Sequence, residues 1–473
     1  MIQNRVSFLV FIALVAWLVF GTACKDDLAI DRTSAVDLRT SADTIFFDTV
    51  FTSPNAGTPL SVNKQFVIVN PLKNAIEVSV SLAGIRSGLF RLNVDGIVGP
   101  DVRNLTLLPG DSVFAFVELH VDPNNDPMSL PLIVRDSIRI ESNGKVKHVQ
   151  LVAWGQDAHY MMRDTLCNTV LDDPLKPYVV YGYLYVPENC VLTIEKGVKM
   201  HFAPRSWLFV EGTLIINGTK EDPVYFEGDR LEPDFEEIAG QWGGIWLAYP
   251  SKDNSITHAR IKNATVGVYC DSISSNGAYN VAIRNTHVRN MLFDGLSGKG
   301  SSIQAQNSIF ENCGRFSFLG LYGGNYKLQH CDFVTYNFDF ARRDPTFVLN
   351  NIQRDEAGAE IGSFPIRAQV QNNIIYGSLD NELALDFNSN KVDEFMLQNN
   401  LIKTELEGLD VAGLNNLLNQ DPRFKNPALH KFQLDTLSPA IDLGRTLSPI
   451  ISTDFDENPR NAKPDAGAFE RID

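Results

Sequence analysis

The chain has 473 residues, too many for one ordinary domain, and its 44% hydrophobic and 21% charged content describes a folded protein with ample core material. A formal net charge of −16 excludes a general nucleic-acid binder, because phosphates need Lys and Arg to neutralise them. It offers no overall attraction to acidic polysaccharides either, which leaves only a local basic groove for that role.

At the N-terminus Arg5 precedes an apolar run from Val6 to Phe20, then the small residues Gly21, Thr22 and Ala23, then Cys24. Charged, apolar and cleavage regions in that order predict a signal peptide over 1–23, and the run is short for a membrane span, which needs about 20 residues. The sequence GTAC resembles a bacterial lipobox, with Gly21 standing where Leu is usual; the resemblance implies an acylated Cys24 as the mature N-terminus. Several acyl chains would then anchor the protein to a membrane. Lys25-Asp26-Asp27 resembles the acidic export signal of Bacteroidetes surface lipoproteins, which implies an outer-membrane protein facing the exterior. The alternative is that these charges only solvate a tether over 24–42.

From 43 to 157 short β-rich runs alternate with turn signals. QFVIVN (65–70), IEVSVSL (76–82), LFRLNV (89–94), SVFAFVELHV (112–121), DSIRIES (136–142) and KHVQLVAWG (147–155) read as strands. Asn70-Pro71, Pro109-Gly110-Asp111 and Asn143-Gly144 read as the turns between them. Six or seven such strands predict a β-sandwich. The order V-x-N-P, LLPGDS, V-x-V-D-P resembles immunoglobulin-like modules related to the hydin and major sperm protein group, which implies a spacer or adhesion module.

Beyond 157 one phrase recurs: apolar, polar, Asn or His, two variable residues, apolar. Copies are ITHARI (256–261), IRNTHV (283–288), AQNSIF (305–310), LQHCDF (328–333), FVLNNI (347–352), VQNNII (370–375) and LQNNLI (397–402). Successive gaps of 27, 22, 23, 19, 23 and 27 residues average 23.5, which fits one coil of a parallel β-helix. The third position is His258, Asn285, Asn307, His330, Asn372 and Asn399, with Leu349 the exception. Such a column predicts a structural ladder at a bend, in which stacked amides exchange side-chain hydrogen bonds.

The order YLYVPENCVLTIEKGV (183–198), VEGTL (210–214), GQWGGIWL (240–247) resembles the opening coils of right-handed parallel β-helices of the pectate-lyase-like superfamily. That places the β-helix over 158–415. FQLDTLSPAIDLG (432–444), DFDENPR (454–460) and PDAGAFE (464–470) resemble the C-terminal segment that closes many bacterial surface β-helices, which implies a cap over 416–473. The fold class expected is therefore all-β: sandwich, solenoid, cap.

Chemistry is harder to find. Many enzymes of that superfamily degrade acidic polysaccharides, and the best basic cluster is Arg342-Arg343-Asp344, near Asp332 and Asp339. It predicts either a weak lyase or hydrolase site or a solvated loop with a local ion pair. Asp454, Asp456, Asn458 and Asp465 have the spacing of calcium ligands, but Pro459 stands where an EF-hand needs Gly; a loop whose acids cap backbone groups is the alternative. Trp242 and Trp246 are read as stacking core or cap residues or as sugar platforms. Cys167 and Cys190 are the candidate disulfide. The function expected is a non-catalytic cell-surface scaffold binding a glycan or a surface protein, the alternative a polysaccharide lyase or glycoside hydrolase acting on an acidic polysaccharide.

Overall fold

The computed structural model describes residues 29–34, 36–51, 62–84, 89–119, 132–271, 278–336 and 342–472; Cys24, Lys25, Asp26, Asp27 and Asp339 lie outside them. The chain forms two units, Met1–Gln156 and Asp157–Asp473.

The first unit is a sandwich of two five-stranded sheets. One runs Arg39–Thr40, Val62–Val69, Ser112–Leu119, Phe90–Val94, Ile97–Val98; the other runs Thr44–Phe51, Lys145–Gln156, Leu132–Ser142, Ile76–Leu82, Asp101–Leu107. Alternation decides the faces: Val78, Val80, Ala115 and Val117 are fully buried in a shared core, while Phe116, between two of them, points outward. Asn70 closes its turn from the side chain, donating to the carbonyls of Asn74, Leu107 and Leu108 and accepting from the Leu72 N–H. The folded region starts earlier than the expected 43. Val36 and Leu38 belong to the core and Arg39 pairs with Val69, so the last residues assigned to a tether are sandwich.

The second unit is a parallel β-helix. Its strands stack in three faces, two of them joined as an 18-stranded sheet and the third a nine-stranded sheet. A coil passes from the third face (for example Thr213–Asn217) to the second (Val224–Gly228) to the first (Gly244–Ala248). Inward residues Ile216, Phe226, Ile245 and Leu247 are fully buried and stack rung on rung, about 4.8 Å apart.

The repeated phrase straddles the corner between third and second faces. Its last residue pairs in register through Ile261, Val288, Phe310, Phe333, Ile375 and Ile402. FVLNNI at 347–352 is not in that column: Phe347–Asn350 lies on the first face, paired with Phe316–Leu321 and Leu383–Asp386. Phe333 therefore pairs with Ile375, one long coil that also carries the hairpin Ile352–Arg354 with Glu360–Ser363. The exception at Leu349 follows from this: Leu349 is an inward core residue of a strand, not a corner residue.

The six corner residues share a left-handed backbone, with φ of 48° at His258, 47° at Asn285, 46° at Asn307, 53° at His330, 59° at Asn372 and 55° at Asn399. Asn and His tolerate that region better than other residues with a Cβ, which explains the restriction at this position. Their side chains do not form the expected internal column. Only His330 and Asn372 meet, Nε2 to Nδ2 at 2.8 Å. The ladder of exchanged bonds runs one residue later: Cys331 N–H to Asn373, Asn373 N–H to Asn400, Asn400 N–H to Asn416, at 2.8 to 3.0 Å. In earlier coils Thr286 and Ser308 hold the same place.

The third-position side chains point outward instead, and the C-terminal segment lies over them. Asn399 donates to Leu443 O, Asn372 to Arg445 O, Asn307 to Thr453 O and Asn285 to Asp454 O and Phe455 O, while His258 meets Glu457 at 3.1 Å. Residues 416–473 were expected to close the end of the solenoid; the described part runs back along its side as a strap. Phe424, Phe432, Phe455 and Phe469 cover Ile309, Val334, Ile374 and Leu401, outward residues of the second face. The apolar outward residues that such a face would otherwise expose to water are what the strap buries.

Cys167 and Cys190 form a disulfide across 23 residues at the start of the β-helix, and Cys270, Cys313 and Cys331 are buried thiols. Cys190→Ser is expected to lower the stability of the soluble chain by about 3 kcal/mol in urea unfolding, from the loop entropy it releases.

Candidate functional site

On the first face the outward positions near the start of the β-helix are aromatic. In register they run Tyr183 to Trp207, and Tyr185 to Phe209 to Trp246 to Tyr269. Ring centroids are 5.7 Å apart for Trp207 and Phe209, 5.5 Å for Phe209 and Trp246, and 5.6 Å for Trp246 and Tyr269. Tyr183 is 39% exposed and the others are half-buried by one another, so rings present edges and faces to solvent along four rungs. Their inward neighbours Leu208, Val210, Ile245, Leu247 and Val268 are fully buried. The backbone allows the stripe: the Trp207 ring occupies the place where a Cβ on Gly243 would stand, 2.2 Å from the ring atoms. The first glycine of W-G-G-I, Gly243, thus seats a tryptophan from the rung below.

The two tryptophans of that motif divide. Trp242 is fully buried, stacked on Phe202 at 4.3 Å with its N–H on Lys262 O at 2.9 Å. Trp246 is in the outward stripe, and its buried indole N–H has no hydrogen-bond partner.

Carboxylates flank the rings. Tyr185 donates to Glu211, and that bond, with burial and the nearby Glu188, raises the phenol's pKa. Burial and then Asp271 push the Tyr269 phenol up to about 12. Farther along the coils, Asp294 is pushed up to about 6 by burial, with Arg315 opposing and Asp344 adding to the rise.

The basic cluster does not assemble as a site. Arg342 is buried against the equally buried Glu382, with Nη1 to Oε2 at 2.7 Å and a second bond from Nη2. Glu382 also accepts from the N–H groups of Thr346 at 2.9 Å and Leu379 at 2.8 Å. Arg342 therefore holds a loop; its Nε–H has no partner, but it is buried and presents no donor to a polymer at the surface. Arg343 is exposed, and Asp344 meets Arg315 at 3.3 Å.

Asp332, expected near that cluster on an open face, lies under the strap at 1% exposure and accepts from the Ala468 N–H at 3.2 Å. Burial pushes its pKa up to about 8 against the pull of the Ala468 N–H and Arg460. A carboxyl that stays protonated in the fold but ionises when unfolded makes stability fall as pH rises, here between the ordinary 3.8 and about 8. Asp332→Asn is expected to flatten that slope, read as melting temperature against pH.

The four calcium candidates serve the strap. Asp454 accepts from the Asn458 N–H at 2.7 Å, from Asn458 Nδ2 at 3.2 Å and from the Glu470 N–H at 2.9 Å. Asp465 accepts from the N–H groups of Asp442 at 2.8 Å and Arg471 at 2.7 Å. Asp456 is half-buried and its pKa is raised by burial. Among the described residues no group of three or more His, Cys, Asp or Glu side chains is placed to hold a metal.

Sequence reading missed a second corner column. Asn263, Asn290 and Asn312 all have positive φ, and their signal was the triplets IKN, VRN and FEN that end the second-face strands. Asn263 donates to Glu236 O at 2.8 Å and Asn290 to the Glu237 carboxylate, tying down the long connection 229–243. It also missed a buried relay in which Glu311 accepts from His287 at 2.6 Å and from His430 of the strap at 2.9 Å, with Glu237 beyond.

No family model and no curated protein matches the chain. Solved structures do. The catalytic unit of the GH87 α-1,3-glucanase from Streptomyces thermodiastaticus is similar over 72% of this chain and 75% of that one, at 12% identity and a TM-score of 0.32. A family 123 glycoside hydrolase from Clostridium perfringens matches over 29% of this chain and 30% of its own, at 9% identity and a TM-score of 0.20. The PapD-like domain 7 of human CEP192 matches over 29% of this chain and 96% of its own, at 8% identity and a TM-score of 0.19. Likenesses this low say nothing of activity.

Proposed function

We propose that the protein is a surface lipoprotein whose β-helix is a non-catalytic scaffold that binds a glycan. The observation that carries the reading is the outward aromatic stripe of Tyr183, Trp207, Phe209, Trp246 and Tyr269. Sugar rings present C–H faces that pack on aromatic rings, and outward aromatics on successive rungs give a polymer several such contacts at once. Anchoring through acylated Cys24, export past Lys25-Asp26-Asp27 to the outer face of an outer membrane, and the immunoglobulin-like character of the sandwich as a spacer belong to the same proposal and rest on the sequence.

Glycan-array binding of the soluble chain starting at Lys25 tests the binding half. Trp246→Ala is expected to weaken binding about tenfold or more, as the loss of one aromatic contact of 1.4 kcal/mol or more would. Tyr183→Ala, at an exposed position where folding is not at stake, is expected to weaken it in the same direction. Binding unchanged in both variants removes the stripe from the reading. Incorporation of a labelled fatty acid, lost in Cys24→Ser, tests the anchor.

A further inference from the structure

This inference rests on the stripe being a glycan-binding surface, and concerns which glycans it takes. We infer that the ligand is an uncharged polysaccharide lying along the β-helix axis, and that uronate polymers are excluded. Two observations point there.

The first is charge. Three groups that flank the rings are carboxylates, Glu211 on the Tyr185 hydroxyl, Asp271 beside the Tyr269 hydroxyl and Glu188 near Tyr185, while Arg163 packs beside Gly182 at the first rung. A sugar hydroxyl donates to a carboxylate, whereas a uronate brought to the same place meets like charge in a half-desolvated setting. Elsewhere on the unit, four cations are engaged by acids, Lys262 with Glu227 at 3.0 Å, Arg289 with Glu237 at 2.8 Å, Arg315 with Asp344 at 3.3 Å, and Arg342 with Glu382. The net charge of −16 adds long-range repulsion in the same sense.

The second is direction. Phe209, Trp246 and Tyr269 occupy one column on consecutive rungs, so their line follows the stacking axis. Centroid steps of 5.5 and 5.6 Å match the advance of an extended chain by about one sugar ring per rung. Trp246 lies in the middle of the column, between Phe209 and Tyr269.

The experiment is calorimetric titration of the soluble chain with neutral glucans, xylans and mannans and with polygalacturonate and alginate, at low and at physiological salt. The expected result is binding of at least one neutral polymer with little dependence on salt, and none of either uronate polymer. Glu211→Gln with Asp271→Asn is expected to relax that exclusion and admit uronate binding. Binding of uronates by the unaltered chain, with none of neutral polymers, overturns the inference and leaves glycan binding standing. Failure of both classes to bind overturns the glycan reading and this inference with it.

Discussion

Arg460→Met is expected to cost roughly 3–5 kcal/mol, the usual penalty for leaving a buried charge without its partner, and to free the strap from the β-helix. Arg460 is the strap's hub. With 1% of its side chain exposed, it meets Glu470 at 3.3 Å and donates to Asn307 Oδ1 at 3.0 Å, Ala468 O at 3.0 Å, Gly467 O at 3.1 Å and Thr453 O at 3.3 Å. One guanidinium thus ties Thr453 to the segment Gly467–Glu470 and both to the corner residue Asn307. Methionine fills much of the volume but strands Glu470 and these acceptors. Limited proteolysis is expected to cut within 424–472 in the variant and not in the unaltered chain, alongside a lower urea midpoint. Adding Glu470→Gln is expected to recover part of the loss, because the second buried charge goes with the first. An unchanged midpoint and an uncut strap would show that the apolar contacts of Phe432, Phe455 and Phe469 hold it unaided.

Arg342→Met is expected to cost a similar 3–5 kcal/mol, while Arg343→Ala, one residue on, changes stability by no more than about 0.5 kcal/mol. Arg342 and Glu382 have side chains 1% and 0% exposed, and Glu382 collects two backbone N–H groups besides the guanidinium. Removing the cation leaves an anion buried in the wall of the β-helix. Were Arg342 a catalytic group, its loss would spare stability and abolish an activity; the burial predicts the reverse. Chemical denaturation of the two variants side by side decides it, and equal stability of both would sink the structural assignment.

The β-helix was legible because its repeat is a backbone requirement. A left-handed corner restricts residue type, so Asn and His recur at 258, 285, 307, 330, 372 and 399 and the eye finds the coil. The same cue misled at 347–352, where Phe347–Asn350 is a strand on another face and Ile352 begins a hairpin, since a six-residue pattern carries no record of which face it occupies. The register of stacked strands exposed the slip. Likewise the corner amides read as an internal ladder, when the bonds that climb the solenoid belong to Asn373, Asn400 and Asn416 one residue on.

The candidate site was less legible. Tyr183, Trp207 with Phe209, Trp246 and Tyr269 lie in four successive coils, and alternation within each short strand says which residues face out without saying which will be neighbours across coils. The adjacency of Arg342, Arg343 and Asp344 in sequence suggested one site, yet their partners are Glu382, solvent and Arg315.

Local rules thus determined the all-β class, the sandwich, the coil and its corners, because alternation, turn chemistry and left-handed positions act over a few residues. Tertiary structure alone decided that the last fifty residues run along the side of the solenoid, that Arg460 and Arg342 are buried ties, and that rings from four rungs form one surface. Those outcomes depend on contacts between residues tens to more than a hundred positions apart, such as Asn307 with Arg460, and no local pattern records them.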